Sequence, residues 1–75
     1  MQRYSDIDRD SGVVEYENGD DCVIVRFSDG ATYLYNYSSA GSYHIENMKK
    51  LADRGNGLNA YINEHVAKRY ARRER

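Results

Sequence analysis

Two histidines, one cysteine and twelve acidic side chains are the groups here that could carry catalysis or hold a metal. His44 and His65 are far apart in sequence and fit neither H-x-x-x-H nor H-E-x-x-H spacing. Cys22 with either histidine would make a thiolate pair. In its run of β-branched neighbours it reads first as a small packing residue. Four carboxylates do fall at ion-binding spacing. In DIDRDSGVVEYE, residues 6–17, Asp6, Asp8, Asp10 and Glu17 take positions 1, 3, 5 and 12 of a calcium loop. Val13 takes the apolar position 8, but Ser11 stands where the sharp turn requires glycine, and Gly12 comes one place late. Five residues before Asp6 are too few for an entering helix, and Val13 to Glu17 is wanted for a strand. The stretch therefore reads as an acidic arm. No catalytic residue, no metal and no cofactor is expected, and the chain reads as not an enzyme.

GNGLNA, residues 55–60, matches G-x-G-x-x-A. A dinucleotide fingerprint must follow a strand. This one follows a helical pattern and reads as a helix–helix turn.

Binding chemistry is better represented. Tyr33, Tyr35 and Tyr37 alternate along FSDGATYLYNY, residues 27–37, so a strand would put three rings on one face. Such a row is either a stacking platform or the core. The core reading prevails for Tyr33 and Tyr35, because the chain has one phenylalanine and no tryptophan. Tyr37, at the strand end, is the ring expected to be accessible. Five bases, Lys68, Arg69, Arg72, Arg73 and Arg75, crowd the last eight positions. On a helix Lys68, Arg72 and Arg75 share one face, with Arg69 and Arg73 beside them. That is a phosphate-binding stripe or a solvated terminus whose cations favour the helix dipole.

These groups need a scaffold. Val13 to Glu17 reads as a first strand, residues 22–27 (CVIVRF) as a second and residues 31–37 as a third, with turns at Asn18-Gly19 and at SDG, residues 28–30. A three-residue loop, Ser28 to Gly30, pairs Phe27 with Ala31 and collects Val23, Val25 and Phe27 with the tyrosines on one face. Helices are expected over about 43–54, N-capped by Ser42 and stopped by Gly55, and over about 58–73. Leu58, Ile62, Val66 and Tyr70 step along the second at four-residue spacing. The fold class is α+β: a three-stranded antiparallel meander followed by two helices packed on one face. The expected core is Val23, Val25, Phe27, Tyr33, Tyr35, Met48, Leu51, Leu58, Ile62 and Val66. Residues 1–10 read as a loose acidic arm and 11–75 as a single domain.

Seventy-five residues make one small domain, without a disulfide to brace it. The first twenty residues are polar and acidic, unlike a secretory signal, and no apolar run approaches a membrane span. The expected location is cytoplasmic. The net charge of −1 hides an asymmetry: residues 1–30 carry eight acids and three bases, residues 31–75 four acids and eight bases.

VIVRFSDGATYLY followed by GNGLNAYINEHVAKRY resembles the KTSC domain, a short module found at the C-terminus of some lysyl-tRNA synthetases and as free-standing small bacterial proteins. The matching set is Val23, Val25, Phe27, Gly30, Tyr33 and Tyr35, then Gly55, Gly57, Leu58, Asn59, Tyr61, Ile62 and Tyr70. SGVVEYE also fits the family's first strand. The resemblance covers about residues 11–70 and implies accessory RNA binding. The chain departs from the family in lacking a proline after its third strand. The function expected is a small non-enzymatic binding module that takes RNA through Lys68, Arg69, Arg72, Arg73, Arg75 and Tyr37. The alternative is a protein-interaction module using a sheet edge or the face carrying Ile24 and Leu34.

Overall fold

A computed structural model describes residues 1–6 and 12–75. The fold is α+β, built on an antiparallel sheet of five strands in sequence order. The strands are β1 (Gln2–Arg3), β2 (Val13–Asn18), β3 (Cys22–Phe27), β4 (Thr32–Asn36) and β5 (Arg72–Arg73). The helices are α1 (Tyr37–Ala40), α2 (Ser42–Arg54) and α3 (Leu58–Tyr61), the last continuing into a π-helical turn, Ile62–Val66.

The three-stranded meander is thus the middle of a wider sheet. Its register follows from the β3–β4 turn. Phe27 N–H donates to Ala31 at 2.8 Å, Gly30 N–H donates back to Phe27 at 2.9 Å, and Gly30 sits at φ 90°. A left-handed residue closing a three-residue loop is a position for glycine. Val25 then lies opposite Tyr33 and Val23 opposite Tyr35. In β2 a bulge at Val14 separates the Val13–Phe27 and Glu15–Arg26 pairs. The extra residue lets Val13 and Tyr16, three apart, both point inward.

α2 covers this face through Ile45, Met48 and Ala52, and Leu58, Ile62 and Val66 close the core beside it. Gly41, at φ 92°, occupies the N-cap of α2 in place of Ser42, which is the first helical residue. Gly55 ends the helix at φ 75°, its N–H reaching the carbonyls of Leu51 and Ala52. Val23, Val25, Tyr35, Met48, Leu58, Ile62 and Val66 are buried. Phe27, Tyr33 and Leu51, expected in the core, are half-buried and pack against its margin.

Two expectations need correcting. The arm over residues 1–10 is tied down at its start, where β1 pairs with β2 and Tyr4 is buried. Its aromatic ring offers more core than the acids around it suggest. Asp8 and Asp10 of the calcium-loop pattern lie outside the described residues. The second correction concerns the helix over 58–73, which ends at Val66. Beyond Val66 the segment Ala67, Lys68, Arg69 has little to bury, whereas the outer edge of β4 holds unpaired backbone groups. The chain turns back to satisfy them: Ala71 N–H donates to Leu34 and Glu74 N–H to Thr32, both at 2.6 Å.

Candidate nucleic-acid interface

Turning a helix into an edge strand redistributes the five basic residues. A strand sends neighbours to opposite faces. Arg73, opposite Tyr33, lies on the helix-covered side, where its guanidinium carbon stands 5.6 Å from the Tyr33 ring centre. Arg72, opposite Leu34, lies on the uncovered side and bonds Glu74 at 3.2 Å. Arg75 lines an open cavity of about 450 Å³ with Met1, Arg26, Thr32 and Glu74. Lys68 and Arg69 occupy the turn after Val66 and are exposed, with no side-chain partner among the described residues. The single helical stripe of Lys68, Arg72 and Arg75 does not form. A cationic rim around β5 replaces it.

Tyr70 sits at the centre of that rim. Its ring lies 4.6 Å from Tyr33 and 6.4 Å, edge-on, from Tyr35. Phe27 extends the row beyond Tyr33 at 5.9 Å. Tyr35 is the buried anchor, and burial, reinforced by the neighbouring Tyr33 and Tyr70, pushes its phenol up to about 12. Tyr70 keeps 41% of its surface exposed. The ring is therefore fixed by packing on Tyr33 and Tyr35 while the rest of it meets solvent. Four-residue spacing from Val66 places Tyr70 on a helical stripe, but the helical path ends at Val66 and Tyr70 packs on the sheet instead.

Tyr37 is not part of this rim. Asn36 ends β4 by capping α1: its side chain accepts from Ser39 N–H at 2.8 Å while Ser39 Oγ accepts from Asn36 N–H at 3.0 Å. Tyr37 thereby leaves the strand, and its hydroxyl donates to Glu46 at 2.7 Å. Lys49 joins the same carboxylate at 3.0 Å and donates to the Asp20 carbonyl at 2.7 Å. The hydrogen bond to Glu46 raises the Tyr37 phenol, and the same bond, helped by Lys49, lowers the Glu46 carboxyl. This group holds the β2–β3 turn against α2.

On the uncovered sheet face Ile24 lies opposite Leu34, both half-buried, with Glu17 and Arg72 at either end of the row. In the next row Arg26 bonds Glu15 at 2.8 Å. His44 and His65, isolated in sequence, come together with ring centres 5.5 Å apart. Among the described residues no three His, Cys, Asp or Glu side chains form a metal-holding group.

Comparison with known protein families, with characterised proteins and with solved structures finds no match to this chain. Among the described residues no helix is long and apolar enough to cross a membrane.

Proposed function

We propose that the chain is a small, non-enzymatic binding module of KTSC type that holds single-stranded RNA along its C-terminal basic rim. The observation that carries this reading is Tyr70, 41% exposed, held from behind by Tyr33 and flanked in sequence by Lys68, Arg69, Arg72 and Arg73. Cations draw the phosphate backbone and a fixed exposed ring stacks an unpaired base. The lone thiol, Cys22, suits a reducing compartment, so we place the module in the cytoplasm.

Anisotropy of a labelled single-stranded RNA across a salt series tests this. Each phosphate contact contributes about −0.7 to the slope of log affinity against log salt. Replacing Lys68 and Arg69 with glutamine flattens the slope. Tyr70→Ala lowers affinity at every salt concentration and leaves the slope alone. RNA binding that is absent at low salt, or indifferent to both changes, overturns the reading.

A second reading has its own support in the Ile24–Leu34 pair at the middle of the uncovered sheet face. A partner protein seated there would bind through apolar contact and resist salt. Ile24→Asp would abolish that complex without touching RNA affinity.

A further inference from the structure

A second group of rings lies away from the β5 rim. α2 supplies Tyr43, His44 and Asn47, α3 ends in Tyr61, and the π-helical turn carries His65. The ring centres form a connected cluster. Tyr43 is 5.5 Å from His44, His44 is 5.6 Å from Tyr61 and 5.5 Å from His65, and Tyr61 is 4.5 Å from His65. Tyr61 and His65 are four residues apart, so the helical path sets one ring against the other.

The cluster is braced. The Tyr61 hydroxyl stands 2.6 Å from His44 Nδ1 and accepts from Asn47 Nδ2 at 3.2 Å. Asn47 and His44 thus hold the Tyr61 hydroxyl from two sides. Bracing of this kind fixes ring orientation before any ligand arrives. Tyr43 meanwhile keeps 75% of its surface exposed. A ring so placed does little for the core, and it extends the cluster into solvent.

The charge around the cluster narrows what it fits. Among the described residues the ion-pair partner at these rings is the carboxylate of Glu64, 3.8 Å from His65 Nε2, and no cation stacks on any of them. A phosphate would be repelled by Glu64. A flat, neutral heteroaromatic ring would stack, and its polar edge would find imidazole N–H and phenol groups. His65 and Tyr70 are five residues apart, so their backbones are separated by no more than about 18 Å. One short strand can reach both.

We propose that Tyr43, His44, Tyr61 and His65 form a nucleobase-stacking platform. It receives an unpaired base of the same RNA strand whose phosphates the β5 rim holds. This inference rests on the RNA-binding reading above.

The test uses the intact chain and three probes: a labelled single-stranded RNA, a base-free polyphosphate, and an uncharged nucleoside. Tyr43→Ala combined with His65→Ala is expected to weaken RNA binding about tenfold or more, as expected for one or more lost base stacks. The salt slope stays as in the parent, and Tyr43→Phe retains affinity. Polyphosphate binding is unaffected by the double change. Nucleoside at millimolar concentration shifts the ring resonances of His44 and His65. RNA binding of parental strength in the double variant overturns the platform and leaves the rim standing. Loss of RNA binding with polyphosphate weakened in parallel also overturns it, since that marks a charge effect. Failure of all three probes to bind overturns both proposals.

Discussion

The Tyr4 hydroxyl accepts a hydrogen bond from the backbone N–H of Leu58 at 3.2 Å, across 54 positions of sequence. Leu58 opens α3, and its N–H is one of the donors a helix start leaves unsatisfied. A side chain from the far end of the chain caps it. The Tyr4 ring also meets Tyr16 edge-on at 6.4 Å, so one residue joins β2 to the last helix.

Tyr4→Phe keeps the ring and removes the cap. A buried N–H is left without its partner, which costs about 1–3 kcal/mol. For a domain of this size that lowers Tm by roughly 4–8 °C per kcal/mol. Tyr4→Ala adds a cavity, and its cost rises to about 3–5 kcal/mol. Calorimetry of the two variants separates the cap from the ring: a Tyr4→Phe chain as stable as the parent would show that the hydrogen bond contributes nothing, and equal losses in the two variants that the ring adds nothing to it.

Glycine positions differ in what they tolerate. At Gly55, φ 75°, an added Cβ would lie 2.5 Å from Ser5 Cβ, whereas at Gly30, φ 90°, it would meet nothing within 4 Å. Both alanine variants bear the left-handed penalty of roughly 1–2 kcal/mol. Gly55→Ala must in addition push the N-terminal segment off α2, so it is the more damaging. Urea titration reads the order directly, and a smaller loss at Gly55 would contradict the packing of Ser5.

Alkali should destabilise the fold through Tyr35. Its folded value is raised from 10.0 to about 12. A raised value means that the stabilisation is complete below pH 10 and is lost as pH climbs toward 12. Tyr37, also raised, adds to the loss in the same direction. Glu46 is lowered from 4.5, so its contribution is present above that value and fades as pH falls below it. Stability measured from pH 9 to 12 should fall less steeply in Tyr35→Phe than in the parent chain.

Amide exchange distinguishes the strand ending from a helical one. Ala71 and Glu74 N–H groups bond Leu34 and Thr32 across the sheet. They should exchange more slowly than the amides of Lys68 and Arg72, and deleting residues 70–75 should release protection along β4. Protection running unbroken from Leu58 to Arg73 would restore the long helix.

Legibility in the sequence tracked how local each determinant was. The β3–β4 register could be read because Gly30 and two alternating rows of apolar residues pointed to the same loop length. The end of the last helix could not. Leu58, Ile62, Val66 and Tyr70 keep helical spacing, and the pull of the open β4 edge on residues 71–74 appears only in three dimensions. Tyr4 was hidden for the same reason: its partners Tyr16 and Leu58 are distant in sequence, and its immediate neighbours are polar. The candidate interface suffered most. Its residues were visible as a basic run, but their distribution between two faces depends on a strand that two residues define. His44 and His65 carried no spacing signal, since the contact between α2 and the π turn alone unites them.

Strand order has a mechanical consequence. Because β1 and β5 are the two outermost strands, the chain enters and leaves the sheet at opposite edges of its hydrogen-bonded order. Tension applied through the two ends therefore acts across the strands rather than along them. Backbone bonds are loaded one pair at a time, beginning with ladders only two residues long. The domain should peel open from both margins at low force, as a zipper does, with the β2–β3–β4 centre yielding last. The β5 rim is then among the first parts of the fold to come away.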